Sequence, residues 1–255
     1  MHLWNFTINH KIIGIFGVFI STLLFSCSSM YMPNVPTASM LSKKGELHAG
    51  AHISLSGNAS LNTAYAVNNH FGLLFNASTM YKNNRKKDFR QNLVEIGGGY
   101  FTTFGDNNNR ILEIYVGLGN GSTERNFREY KNDVLLSAVN EDFNFNKSFL
   151  QINYTSKKKK GLKLFGKNYP VNYGTVLRVS YLNLERFNQN GILQPTEDNI
   201  FLEPVFFTRL KLNKILQLQY TSGSNFGLRS RKFLTAGNSI FTVGLAVNIG
   251  ELKIK

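Results

Sequence analysis

Cysteine is almost absent from this chain: Cys27 stands alone, so no disulfide can form within it. Tryptophan is equally scarce, with Trp4 as its one instance, and any aromatic belt further along has to be built from tyrosine and phenylalanine. Acidic residues number 15 against 29 lysines and arginines, and charged residues together make up only 17%. No apolar run reaches the roughly 20 residues that a helix needs to cross a bilayer. No stretch carries convincing helical spacing, which sets aside an α-helical fold. Nucleic-acid motifs, nucleophile elbows and phosphate-cradling glycine loops are missing as well; Gly97-Gly98-Gly99 lies inside a strand pattern, where glycine serves bending or close packing.

What the chain does have begins at its N-terminus. His10 and Lys11 precede an apolar stretch from Ile12 to Phe25, and the small Ser26 stands just before Cys27. Basic flank, short apolar core and small residue at the cut make a secretory signal. With cysteine in the first position after the cut, Leu24-Phe25-Ser26-Cys27 resembles a bacterial lipobox. That resemblance implies that residues 1–26 are removed and that Cys27 is acylated, with palmitate-type chains. Each buried methylene of such chains contributes about 0.8 kcal/mol. Ser28 to Leu41, with Pro33 and Pro36 three apart and no apolar period, reads as an extended tether. Residues 27–45 are therefore expected to form a lipidated tether, facing the periplasm, and residues 46–255 the folded domain.

Beyond Gly45 the pattern switches to period two, the mark of strands with two different faces. Ten candidate strands can be drawn: Glu46 to Gly57, Ser60 to Ala66, Phe71 to Tyr81, Gln91 to Phe104, Arg110 to Glu124, Asp142 to Ser156, Asn172 to Leu184, Ile200 to Leu212, Ile215 to Ser222 and Ser239 to Ile249. Many reach the roughly 9 to 11 residues that cross a bilayer when tilted. The last is the clearest, with Phe241, Val243, Leu245, Val247 and Ile249 on one face and Thr242, Gly244, Ala246 and Asn248 on the other. Short links such as Val67 to His70 and Gly105 to Asn109 tend to alternate with long ones such as Lys82 to Arg90, Arg125 to Glu141, Glu185 to Asn199 and Gly223 to Asn238. That is the habit of membrane barrels with short inner turns and longer outer loops. The fold expected is all-β: an antiparallel up-and-down β-barrel of about 8–10 strands behind a lipoprotein signal peptide.

Cys27, the Tyr31-Met32-Pro33 tether, Lys44-Gly45-Glu46 at the barrel entrance and Ala64-Tyr65-Ala66 followed by Phe71-Gly72-Leu73 together resemble the outer-membrane β-barrel lipoproteins of Bacteroidota. The resemblance covers the mature chain loosely and implies outer-membrane location with a structural, adhesive or accessory-binding role and no catalysis. Two other roles are compatible with the pattern: a narrow solute channel, and a soluble periplasmic barrel that binds an apolar ligand inside, with strand faces reversed.

Candidate functional residues fall into two groups. If the apolar faces point to lipid, the opposite parity lines the lumen and holds Glu95, Glu113 and Arg178; Glu203 and Arg209 share a parity with Phe201, Val205 and Phe207, which leaves their direction open. Opposite charges inside a narrow barrel are expected to pair as a structural network. Lys82, Arg85, Lys86 and Lys87 fall in one outer connection and Arg229, Arg231 and Lys232 in another, where lipid A phosphates would be neighbours. The net charge is +14, or +13 once residues 1–26 are removed, since they carry Lys11 and no acid. An anionic lipid surface is the expected partner, with an envelope protein as a further partner and no nucleic acid. No cofactor is expected. His48 and His52 share a parity with Glu46, yet strand residues four apart are separated by about 13 Å, too far to share one metal ion. Ser54, Ser56 and Ser78 lie near His52 or His70 in sequence without a motif that marks them as nucleophiles.

Overall fold

The computed structural model describes residues 30–157, 161–164, 166–235 and 239–250. Cys27, the preceding signal, Lys158 to Lys160 and the last five residues lie outside the described residues. Ten long strands form the wall: β1 (Leu47–Ile53), β2 (Asn58–Ala66), β3 (Phe71–Asn83), β4 (Lys87–Phe104), β5 (Arg110–Lys131), β6 (Val134–Lys157), β7 (Val171–Gln189), β8 (Asp198–Lys211), β9 (Leu216–Ser224) and β10 (Ser239–Ile249). Each pairs antiparallel with its sequence neighbour, and β10 returns to β1, Leu47 facing Ile249 and Ile53 facing Val243, so the barrel is closed. The expected up-and-down barrel is the fold observed, and β1 and β2 are staves of it. Closure leaves no sheet edge around the circumference of the wall, the condition under which strands can cross a bilayer.

The wall is uneven. At the mouth where β1 begins and β10 ends, here the proximal mouth, all strands stop near one level. At the opposite, distal mouth, β4 to β7 continue past their neighbours. Arg125 to Glu141, expected as a long loop, is instead strand: β5 and β6 pair all the way to a two-residue turn, Asn132-Asp133. Both turn residues have positive φ, 48° and 63°, the geometry whose twist suits a tight hairpin. Lys82 to Arg90 likewise shrinks to a short turn between Asn83 and Lys87. These extensions lack an apolar period because their outward residues include the polar Asp88 and Arg90 on β4, Asn126 and Arg128 on β5 and Asn140 on β6. Strand that stands in water on its outer face loses the apolar alternation that marks it.

The outer surface decides which way the apolar faces point. Val94, Ile96, Val116, Leu118, Ile152, Leu177, Leu218, Val243 and Leu245 are all exposed on it. Tyr65, Phe71, Tyr100, Phe104, Tyr154 and Tyr173 gather on the outer surface toward the proximal mouth, and Tyr81, Tyr181, Tyr220 and Phe241 toward the distal one. From Val94 to Phe104 the band spans about 33 Å of strand, or about 25 Å of height at a tilt near 40°, the thickness of a membrane barrel's apolar band. Lipid-facing apolar belt, aromatic girdles and polar interior define a membrane-spanning β-barrel. The strand faces are not reversed as a soluble, lipocalin-like barrel requires.

Candidate functional site: a lumen closed by the chain's own N-terminal segment

Most of the segment expected to be an extended, lipidated tether lies inside the barrel. Residues 30–41 are buried throughout, Met30, Tyr31 and Ser39 completely. The path runs from the distal mouth, where Met30 and Tyr31 pack with Phe143, Phe145, Phe187 and Leu234, to the proximal one, where Leu41 packs with Ala66, Phe101 and Tyr115. There the chain turns through exposed Lys43, Lys44 and Gly45 and enters β1. Glu46 closes that turn, its carboxylate accepting from the Ser42 N–H at 2.6 Å and the Ser42 hydroxyl at 2.7 Å. Met30, the first described residue, thus lies at the distal mouth, and Leu41 at the proximal one.

A buried extended segment leaves its backbone groups without strand partners, and each unsatisfied one costs about 1–3 kcal/mol. Lumen side chains take the place of a neighbouring strand. Gln91 accepts from the Met32 N–H at 3.0 Å and donates to the Met32 carbonyl at 2.6 Å. Asn62 donates to the Val35 carbonyl at 2.6 Å, and Gln151 and Asn153 both donate to that of Thr37 at 2.8 and 3.0 Å. Arg209 donates to the Ala38 carbonyl, and the Leu41 N–H donates to Glu113 at 3.2 Å. Pro33 and Pro36 carry no N–H, which removes two donors that would need partners here.

The charged residues around the segment form a balanced set of three acids and three bases, and a further buried pair, Arg125 with Glu141, lies toward the distal mouth. Glu95 lies 3.1 Å from Arg178 and 2.9 Å from Lys147; Lys147 also reaches Glu203 at 3.5 Å. The segment is wired into it. Lys147 donates to the Tyr31 hydroxyl at 2.6 Å, which donates onward to Glu203 at 2.9 Å. Asn34 donates to Glu95 and accepts from Arg178, both at 2.9 Å. Ser39 donates to Glu113 at 2.6 Å. So the structure brings Glu95, Glu113, Arg178, Glu203 and Arg209 into the same lumen, the last two with Phe201, Val205 and Phe207 also facing inward. Lys147 and Tyr31 complete the set and were missed. Lys147 shares its parity with Phe145, Phe149 and Gln151, the one clue that it points inward.

The basic candidates all lie at the distal end. Arg85 pairs with Asp133, and Arg229 and Arg231 both clasp Asp198. The two guanidinium groups hold the Asp198 carboxyl well down, at about 2, chiefly through the Arg229 hydrogen bond. Lys87 lies over the rings of Phe89 and Phe127, and burial followed by the Arg125 charge lowers its pKa. Lys82, Lys86 and Lys232 are exposed. Three of the seven cations thus already hold acidic partners within the chain.

Among the other sequence candidates, the His48 and His52 rings come closer than the spacing of their strand positions suggests. His48 and His52 both face the lumen over Gly50, where a Cβ would lie 3.5 and 3.0 Å from their Nε2 atoms. The guanidinium of Arg209 stands 3.4 Å from His48 Nε2, and a cation there opposes a metal ion. Ser54 and Ser56 bond each other at 2.7 Å in the β1–β2 turn, and His70 stacks on Tyr100 at the proximal rim.

No protein-family model and no curated protein matches the chain. Among solved structures it is similar to the translocator domain of autotransporter NalP from Neisseria meningitidis, at 10% identity and TM-score 0.48 over 94% of this chain and 93% of that one. The β domain of the Bordetella autotransporter BrkA matches at 9% identity and TM-score 0.34, over 82% and 100%. The KdgM porin matches at 11% and 0.30, over 80% and 98%.

Proposed function

We propose that this protein is a lipid-anchored outer-membrane β-barrel with a structural, adhesive or accessory-binding role and no catalysis, closed in its resting state by its own N-terminal segment. The observation that carries the reading is that segment: residues 30–41 fill the lumen and are bonded to it along their length, so the barrel wall, and not a water path, is what the fold maintains. Cys27 precedes Met30 by three residues, within about 11 Å of chain, and its acyl chains supply a second anchor beside the apolar belt. Lys82, Lys86 and Lys232, with the paired arginines beside them, face the phosphate layer of lipid A at the distal end, where each basic residue near an anionic surface contributes about 1 kcal/mol. A solute channel would require the segment to leave.

The test compares wild type with Cys27→Ala exported by a substituted cleavable signal, using carbonate extraction together with metabolic labelling by a palmitate analogue. The label is expected on wild type alone, with both proteins remaining integral. A Cys27→Ala protein that becomes soluble would refute the membrane-spanning barrel; an unlabelled wild type would refute the lipid anchor.

A further inference from the structure

Side chains that satisfy a neighbour's backbone do not read its sequence. Of the contacts between wall and segment, those from Gln91, Asn62, Gln151, Asn153 and Arg209 go to main-chain groups, and each of these side chains is at most 2% exposed. Gln91 meets both the N–H and the carbonyl of one residue, the pairing that an adjacent β-strand would offer. The wall also leaves no net charge for a ligand to neutralise, because Glu95, Glu113 and Glu203 are matched by Lys147, Arg178 and Arg209. Residues 30–42 accordingly contain no charged side chain.

We propose that the lumen is a binding site for an extended, uncharged polypeptide strand, with residues 30–42 as its resident ligand. The backbone bonds supply a part of the affinity that is indifferent to sequence. Selectivity comes from a few side-chain positions, chiefly Tyr31 between Lys147 and Glu203, and Leu41, which lies against Gly72 so closely that a Cβ there would be 2.7 Å from its Cδ1. Polarity is fixed as well, the strand's N-terminus lying toward the distal mouth. The function implied is capture or passage of an extended chain segment, of which this protein's own N-terminus is the case seen.

The experiment separates strand from barrel in two ways. A specific protease site inserted between Lys44 and Gly45, in the exposed turn, is cut after folding into lipid vesicles; in parallel, a variant lacking residues 30–42 is folded with and without a synthetic peptide of that sequence. The probe is the same peptide carrying a fluorophore at its N-terminus. Saturable one-to-one binding to either barrel supports the proposal, with Gln91→Ala weakening it at least tenfold and the reversed-sequence peptide binding at least tenfold more weakly. A deletion variant that folds only when the peptide is supplied supports it too. A folded, empty barrel that leaves the peptide unbound overturns it. So does a cut barrel that never exchanges its segment while the deletion variant folds neither alone nor with peptide, because residues 30–42 would then be core and not ligand. Equal binding of the reversed peptide would overturn the polarity and reduce the contact to nonspecific adsorption.

Discussion

Replacing Lys147 by methionine removes, among the described residues, the cation paired with Glu203 and one of the two paired with Glu95. At an effective dielectric near 20, contacts of 2.9 and 3.5 Å correspond to about 6 and about 5 kcal/mol of Coulomb attraction. Desolvation of a buried ion offsets several kcal/mol of this, and Glu95 keeps Arg178. The remainder puts the cost of Lys147→Met at about 3–5 kcal/mol, most of it from stranding the Glu203 carboxylate, which is 2% exposed. Adding Glu203→Gln removes that stranded charge, and the double variant is expected to recover about 2 kcal/mol. The assay is urea unfolding in lipid vesicles, followed by circular dichroism and by the gel mobility of the folded barrel, because Trp4 is the chain's one tryptophan and precedes the barrel. Additivity of the two substitutions to within about 0.5 kcal/mol would refute the reasoning, since groups that interact must couple.

Three further outcomes follow from the same structure. Val116→Arg, in the middle of the belt, is expected to cost about 2–4 kcal/mol of folding stability in vesicles, whereas Asn126→Arg, on the same face of β5 but beyond the belt, costs about 0–1 kcal/mol; equal costs would mean that the belt boundary is misplaced. Asp198 has its carboxyl lowered from the ordinary 3.8 to about 2, so the clasp on Arg229 and Arg231 contributes in full above the ordinary value and is lost as pH falls through the depressed one. Hydrogen exchange across residues 225–235 should therefore stay slow, after correction for intrinsic rates, from pH 7 to about pH 3, and Asp198→Asn should speed it throughout; loosening already at pH 4 to 5 would contradict the clasp. A membrane-impermeant maleimide should label Leu135→Cys at the distal tip of intact cells and Asn107→Cys at the proximal turn after permeabilisation alone. The opposite result would invert the barrel in the membrane.

Much of the wall is legible in the sequence because lipid and lumen impose opposite demands on alternate residues. Phe241, Val243, Leu245, Val247 and Ile249 show it plainly, and the start of β5 repeats it. Parity by itself does not separate inside from outside. What resolves Glu203 and Arg209, which share a face with Phe201 and Phe207, is that the lumen holds apolar clusters as well as charges, and the N-terminal segment contributes to each cluster: Met30, Met32, Val35 and Leu41 in turn. That segment left little trace in sequence because its backbone is satisfied by side chains scattered from β2 to β8, a pairing with no local period. Its trace is compositional. Thirteen residues without a charge, from Met30 to Ser42, are unusual for a chain stretch in water and natural for one enclosed by a neutralised lumen.

The central claim is that the barrel is closed by its own chain, and electrical conductance across a planar bilayer tests it most directly. Wild-type protein is expected to insert and remain silent, while the variant lacking residues 30–42 gives discrete ohmic steps. Steady conductance from the wild type, with residues 30–42 intact, would contradict the account.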